Sequence, residues 1–268
     1  TRWKEAEPLF QLALEQWKKT LGLENPDTRI ASENLVRLLL KKGDFAQAEK
    51  IQRDLLAGTE AILGKDHIEC YGLKHNLALY IHNNGRFEEA YQIILEVVNG
   101  YRMYLPPDHR NMLTSLQDMG TVLGHLNRYE EGLSYLLEAL SGYEKTQNPD
   151  SADILMTLGN IAFLLDKAGR KEEAKPYHLR VIRSKIKNNN LDSSQLREVA
   201  SDCYSIGDYD LAESLLKKVL LDEFEISSTY CNLARIYLMM NKIDDAKKKK
   251  KKAMEHRIHA KSYVLARI

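Results

Sequence analysis

The sequence predicts an all-α protein made of about seven antiparallel helix hairpins that stack into a superhelix. A short motif recurs at intervals of 42, 42, 42, 42, 38 and 34 residues, and amphipathic helical stretches lie on both sides of each copy. No segment alternates between apolar and polar residues for long enough to predict a strand. Because one hairpin cannot bury its own apolar face, neighbouring hairpins must stack on each other.

The recurring motif contains a Gly or Asn, a polar residue, usually an aromatic residue, two more residues and a small residue. The small residues of the seven copies are Ala6, Ala48, Ala90, Gly132, Ala174, Ala212 and Ala246. Gly and Asn tolerate the left-handed backbone conformation that ends a helix. We expect the small residue to let two helices approach closely and the aromatic residue to fill the gap between hairpins. Lys171 departs from this pattern because it takes the aromatic position.

A helix with apolar residues four positions apart is expected before each motif, and a second amphipathic helix is expected after it. The apolar pairs on these first helices are Leu35 and Leu39, Leu77 and Ile81, Met119 and Leu123, Ile161 and Leu165, and Leu233 and Tyr237. Turn sequences such as Asn148-Pro149-Asp150 punctuate the ends of the long repeats. The repeating unit is therefore helix, turn, helix, turn.

We expect the repeats to form one solenoid over residues 1–255, with a capping helix or tail over residues 256–268. Thr1 aligns with Gly43, so the chain is expected to open at a turn, in the middle of its first hairpin.

Composition limits the classes of protein to consider. No apolar run approaches the ~20 residues that a membrane-spanning helix needs, so a transmembrane protein is not expected. The three cysteines, at wide and irregular spacing, are interpreted as buried thiols of a reducing compartment. We expect the cytoplasm, with the nucleus or an organelle as alternatives. The net charge is +1, but residues 241–268 carry ten Lys and Arg against three acidic residues.

The helix pairs and linkers resemble the tetratricopeptide repeat, and the 42-residue copies are similar to the repeats of kinesin light chains. The residues that carry this resemblance are Leu21-Gly22, Leu63-Gly64 and Asp108-His109 in the linkers, and Asn34-Leu35, Asn76-Leu77-Ala78, Asn160-Ile161-Ala162 and Asn232-Leu233-Ala234 on the first helices. The resemblance implies a right-handed superhelix. It also implies that a peptide or a partner helix binds in a concave groove lined by the first helix of each hairpin.

Carried over to this sequence, the groove positions form three rows along the first helices. The first row holds Asn34, Asn76, Asp118, Asn160, Glu198 and Asn232. The second holds Arg37, Leu79, Thr121, Phe163, Ser201 and Arg235, and the third holds Lys41, Asn83, His125 and Lys167.

Two interpretations of these rows stay open. Asn amides both donate and accept hydrogen bonds, so they could hold the backbone of an extended peptide. They could instead make capping or inter-repeat hydrogen bonds that stiffen the stack. Arg37 and Lys41 could meet acidic groups of a ligand, and Leu79 and Phe163 could form apolar pockets, or the rows could be an ordinary solvated face.

Six consecutive lysines, Lys247, Lys248, Lys249, Lys250, Lys251 and Lys252, encircle one helix. Lys250 takes the position at which other repeats place Ile94 or Leu136, so we expect its aliphatic stem to lie on the core. The run is interpreted either as a solvated cap or as a contact for nucleic acid, an acidic membrane or the nuclear-import machinery. Nucleic acid or membrane contact is expected only through this run.

Sequence patterns of catalysis, metal binding and phosphate binding are missing from the chain, so we expect no enzyme, no cofactor, no metal site and no small-molecule substrate. The expected function is a scaffold or adaptor that binds a protein or peptide. The alternatives are an assembly or stability factor that docks on a large complex, such as an organellar one, and the repeat part of a larger enzyme or signalling protein.

Overall fold

A computed structural model describes residues 2–22, 25–188, 191–220 and 226–265. Over these residues the chain forms thirteen α-helices and no strand, which confirms the predicted all-α fold of helix hairpins. The helices are α1 (Arg2–Thr20), α2 (Pro26–Lys42), α3 (Phe45–Leu63), α4 (Ile68–Asn83), α5 (Phe87–Tyr104), α6 (Arg110–His125), α7 (Tyr129–Thr146), α8 (Ala152–Lys167), α9 (Lys171–Asn188), α10 (Ser193–Ser205), α11 (Tyr209–Val219), α12 (Ile226–Met239) and α13 (Ile243–Leu265).

The helices belong to two compact units, residues 1–169 (unit 1) and residues 170–268 (unit 2). In unit 1 each helix from α1 to α8 packs on the next, and the first helices α4, α6 and α8 also contact one another in order. In unit 2 each helix from α9 to α13 likewise packs on the next. Helix α13 runs without interruption through residue 255, and the division expected there stays a prediction.

The motif's Gly or Asn has the expected left-handed conformation in all six copies that contain it. The φ angles lie between 58° and 79° at Gly43, Gly85, Asn127, Gly169, Gly207 and Asn241. The next residue, for example Asp44, donates its backbone N–H to the carbonyl five residues earlier, in that copy Leu39. This bond satisfies a carbonyl that the helix end leaves free and turns the chain sharply.

The second motif residue also starts the following helix, and it does so in two ways. Asp44 and Asp208 accept a hydrogen bond from the backbone N–H three residues later, which caps α3 and α11. Arg86, Arg128 and Arg170 instead form an ion pair with the Glu three residues later. Those glutamates also place negative charge at a helix N-terminus, where the helix dipole favours it.

The core of each unit contains the predicted apolar pairs. All ten residues of the pairs on α2, α4, α6, α8 and α12 are buried, which confirms the helical spacing seen in the sequence. The expectation of buried thiols is confirmed for Cys70 and Cys203 and is wrong for Cys231, which is exposed. A Cys on a first helix is therefore not buried merely by its place in the repeat, because only part of the helix surface faces the core.

The motif's aromatic residue bridges hairpins in one copy but not in all. Phe87, at the start of α5, stacks on His125 of the next first helix with ring centroids 4.6 Å apart. Tyr129 instead hydrogen bonds to Asn127 in its own turn. Tyr209 contacts Tyr204 of the same hairpin. The gap-filling role is thus confirmed for Phe87, and for the other copies it stays a prediction.

Small residues set the distance between α6 and α7. A Cβ atom added to Gly120 would lie 2.4 Å from Leu136 Cγ and 3.0 Å from the carbonyl oxygen of Gly132. A Cβ atom added to Gly132 would lie 3.0 Å from the carbonyl oxygen of Gly120. The two backbones therefore touch directly, which gives a physical reason for glycine instead of alanine at the motif's last position in this copy.

We predict that Gly120→Ala lowers the free energy of unfolding by about 1–2 kcal/mol, because overpacking outweighs the gain in helix propensity. Gly159→Ala is the matched control, since a Cβ atom there meets no atom within 4 Å. It should raise stability by about 0.5–1 kcal/mol. Urea denaturation of both variants tests this, and equal effects would contradict the close approach of α6 and α7.

Candidate functional site

Four residues of the first predicted row lie on the first helices of unit 1, one residue per hairpin. Asn34 on α2, Asp118 on α6 and Asn160 on α8 are half-buried, and Asn76 on α4 is exposed. Each residue directly precedes a buried apolar residue of its helix, Leu35, Leu77, Met119 or Ile161, so the spacing that builds the core also repeats this polar position. Of these four residues, Asn76 is thus the most available to a ligand, and the other three are partly covered.

The covered part of the row is engaged in bonds between neighbouring repeats. His75 Nε2 of α4 lies 2.7 Å from Asp118 Oδ2 of α6. Asn160 Nδ2 of α8 donates to Thr121 Oγ1 of α6 at 3.2 Å. For Asp118, Thr121 and Asn160, the inter-repeat interpretation therefore describes the contacts that the structure contains.

A cavity of about 270 Å³ lies between α2, α3 and α4, at the less covered end of the row. The predicted residues Arg37 and Asn76 both line it. Its other lining side chains are apolar at Val36, Leu40, Leu55, Leu73 and Tyr80, and polar at Arg29, Glu33, Gln52 and Thr59. Helix α2 packs on α3 less extensively than α4 packs on α5, which leaves this space open.

The cavity is held by polar contacts at its edges. Gln52 is buried in α3 and donates its side-chain N–H to the carbonyl oxygen of Leu73 in α4 at 2.9 Å. Arg29 Nη1 of α2 lies 3.4 Å from Glu69 Oε2 of α4. Among the described residues no hydrogen bond engages the side chain of Asn76, so its amide is available to a ligand.

The third row has a different character, because its members contact their own helix or nearby rings. Asn83 Nδ2 donates to the carbonyl of Leu79 at 2.7 Å. Lys167 Nζ lies 5.4 Å from the ring centroid of Phe163, whose side chain is 49% exposed. Lys41 is exposed at the end of α2.

His125 of the same row forms an aromatic cluster with His82 and Phe87. The His82 and His125 ring centroids are 4.9 Å apart. Burial of His82 lowers the pKa of its imidazole, His125 lowers that pKa further, and Asp118 acts in the opposite direction. In the described part of the chain, His82 Nε2 is buried without a hydrogen-bond partner. The cluster therefore favours a neutral His82.

Unit 2 contains a separate cavity of about 60 Å³, which the predicted residues Asn232 and Arg235 line. Its remaining lining side chains are Arg197, Ala200, Ser201, Tyr204, Leu216 and Ile236. The Arg235 guanidinium lies 5.6 Å from the ring centroid of Tyr204. Two guanidinium groups therefore border a small, partly apolar space.

Sequence reasoning missed the position directly before the first row. That position holds Glu33 and Arg197, which line the two cavities, and His75 and Gln117, which bond to the next hairpin. A signal was present, because four of the first helices carry a polar or charged residue directly before the row. Neighbouring helix positions point about 100° apart, and a groove wider than one stripe exposes both.

The lysine run lies on α13. Lys249 is half-buried, and its Nζ lies 5.6 Å from the Tyr230 ring centroid and 5.9 Å from that of Tyr237. Lys250 is exposed, so the stem expected on the core belongs to Lys249 instead. The physical reason is geometric: Ala246 and Ala253 are buried, and Lys249 lies between them on that face.

The structure also bears on metal binding and membrane insertion. In the described ranges, no cluster of three or more His, Cys, Asp or Glu side chains is arranged to hold a metal ion. None of the described helices combines the length and apolar character needed to cross a bilayer.

Comparison with known proteins gives one matching family. The sequence model of the tetratricopeptide repeat matches residues 1–67 and 118–187, just over half of the chain. No curated protein matches the sequence.

Solved structures show the same fold at low sequence identity. BtubC (BKLC) from P. vanneervenii is 17% identical with a TM-score of 0.61, over 97% of this chain and 93% of that one. TPR-like repeats ascribed to a kinesin light chain of Podosopora anserina are 18% identical with a TM-score of 0.57, over 89% and 98%. The apo form of RapI is 12% identical with a TM-score of 0.61, over 97% and 93%.

The aromatic cluster predicts a pH effect on stability. Because the pKa of His82 is lowered by folding, the unfolded chain takes up this proton first, and stability falls as the pH drops through the ordinary histidine range near 6.5. We predict that His82→Phe reduces the loss of melting temperature between about pH 8 and pH 5.5. An unchanged loss in thermal unfolding would contradict the burial of a neutral His82.

Proposed function

Because the chain belongs to the tetratricopeptide-repeat family, we propose that it is a non-catalytic scaffold whose first helices bind a peptide segment or a partner helix. The observation that carries this proposal is the cavity in unit 1. Two residues that the repeat register singles out, Arg37 and Asn76, line that cavity, although they lie on different helices.

The lining of the unit 1 cavity suits a peptide in three respects. Its volume of about 270 Å³ accommodates one or two side chains, which is less than most sites for larger small molecules. The Asn76 amide offers a donor and an acceptor to a peptide backbone. Val36, Leu40 and Tyr80 provide apolar surface for a side chain between these polar groups.

Charge adds a preference to this site. Arg29 and Arg37 lie on the same helix and both line the cavity, together with one acidic side chain, Glu33. We therefore propose that the bound segment carries an acidic residue beside an apolar one. The unit 2 cavity, bordered by Arg197 and Arg235, supports the same preference independently.

The proposal also covers catalysis and the cellular compartment. Repeat proteins of this family are generally scaffolds, and we propose no catalytic step for this chain. The thiols of Cys70, Cys203 and Cys231 are free, which agrees with a reducing compartment, and we propose the cytoplasm.

Selection from a displayed library of random peptides tests the unit 1 site. We predict that the chain enriches peptides. The double variant Arg37→Glu, Asn76→Leu should weaken the affinity of the peptides that bind at unit 1 at least about tenfold, because a charged hydrogen bond contributes about 1.5–3 kcal/mol. Lys50→Glu is the control, since this exposed residue of α3 does not line the cavity.

Two outcomes would contradict the unit 1 site. If every selected peptide binds the double variant as tightly as the parent chain, the cavity is not where peptides bind. If no peptide is enriched, the result favours the alternative of docking on a large complex through a broader surface.

The unit 2 cavity is tested by the composition of the selected peptides. We predict that Asp and Glu are enriched among peptides selected on the parent chain, and that Arg235→Glu reduces this enrichment because it reverses a charge at the cavity. Lys218→Glu makes the same charge change on an exposed part of α11 and should leave the enrichment unchanged. If both variants reduced the enrichment of Asp and Glu equally, the overall charge of the chain, and not the unit 2 cavity, would be responsible.

A further inference from the structure

One face of α13 combines lysines with exposed apolar side chains. Ile243, Lys247, Lys250, Lys251 and Met254 are spaced three, four and seven residues apart, so they share this face, which we call the lysine face. All five are exposed, and the apolar members Ile243 and Met254 are 51% and 59% exposed. Leu238 and Met239, at the end of α12, are 58% and 55% exposed and precede Ile243 by a short turn.

Among the described residues, the lysines of the lysine face form only one ion pair, and it is exposed. Asp245 lies on another side of α13 at helical spacing, whereas Asp244 and Glu255 border the lysine face next to Lys251. Lys247 Nζ is 4.0 Å from Asp244 Oδ1, and these side chains are 76% and 91% exposed. An ion pair with that exposure is weak and leaves the lysine available to a partner.

The other lysines of the run have a different environment. Lys249 and Lys252 lie over the ring of Tyr230, and His256 stacks on the same ring with centroids 5.7 Å apart. Lys248 Nζ is 4.0 Å from Asp245 Oδ1. The run therefore divides into the exposed lysine face and a side from which Lys249 and Lys252 contact Tyr230 of α12.

The chemistry of the lysine face favours an anionic membrane over a nucleic acid. Single-stranded nucleic acid is held by cations together with aromatic rings that stack on bases, but the Tyr230 ring is already covered by Lys249, Lys252 and His256. Exposed Ile and Met side chains gain nothing from a phosphate backbone. Lysines beside apolar side chains are the composition of helices that lie at the surface of an acidic bilayer.

We propose that the lysine face binds the surface of an anionic phospholipid membrane. The ammonium groups of Lys247, Lys250 and Lys251 contact the headgroup phosphates and carboxylates, and Ile243 and Met254 enter the boundary between headgroups and acyl chains. The chain would then bring whatever its repeats bind to a membrane surface, without spanning the bilayer. This surface does not overlap the two cavities, so the proposal stands independently of peptide binding.

Co-sedimentation of the full chain with vesicles tests the proposal. We expect binding to phosphatidylcholine vesicles that contain about a third phosphatidylserine, and none to vesicles of phosphatidylcholine alone. Binding should weaken as salt is added, because salt screens exposed charges. Each lysine near the surface contributes about 1 kcal/mol, so Lys247→Gln with Lys250→Gln should weaken binding roughly 30-fold.

Matched variants separate the lysine face from general charge. Lys248→Gln with Lys252→Gln removes the same charge from the other side of α13 and should weaken binding less than about threefold, if only the facing lysines reach the headgroups. Ile243→Ser with Met254→Ser should also weaken binding, whereas Met103→Ser, which changes a 69% exposed residue of unit 1, should not. Circular dichroism confirms that each variant remains folded, which is expected because all the positions are exposed.

Three results would overturn the proposal. One is equal binding of the parent chain to neutral and anionic vesicles, or binding to neither. The second is an equal loss in both lysine pairs, which would indicate diffuse attraction. The third is competition by RNA: a short single-stranded RNA binds the parent chain and the Ile243→Ser, Met254→Ser variant equally well, and it displaces the vesicles. That result would identify a nucleic-acid surface instead.

Discussion

Each first helix ends in a residue with positive φ, and the orientation of the second helix follows from that conformation. At Gly43, Gly85 and Asn127 the left-handed backbone brings the next N–H back to the helix's own terminal carbonyls. The chain then reverses within a few residues, so the second helix packs against the first. How closely the two helices pack depends on the residues between them, as the direct backbone contact of Gly120 and Gly132 illustrates. The polar rows share one register because this geometry is repeated.

The fold could be predicted from the sequence because the residues that determine it act locally and recur along the chain. The turn residue, the apolar pair and the small residue act within one hairpin, and all ten paired residues are buried as predicted. The motif's aromatic residue was harder to predict. Phe87 reaches the next hairpin, while Tyr129 bonds within its own turn. That difference depends on what the neighbouring hairpin presents, which one repeat does not encode.

The candidate site could be predicted only in part, for a similar reason. Register alone placed Arg37 in the second row and Asn76 in the first row, on successive first helices, and both line one cavity. Register could not show that Asp118 would bond to His75, or that Asn160 would bond to Thr121, because those contacts depend on particular partners across a repeat boundary. It also could not show that α2 packs loosely enough on α3 to leave a cavity. The same limit applies to Lys249 and Lys250, since a run of six lysines contains no internal marker of which one faces the core.

We propose that the first helices, and not the second helices, bind the ligand. Hydrogen–deuterium exchange of the chain with and without a selected peptide tests it most directly, because exchange reports local protection. We expect slower exchange on peptide binding in α2 and α4, around the cavity that Arg37 and Asn76 line. Protection confined to the second helices α5 and α7, with α2 and α4 unchanged, would contradict it.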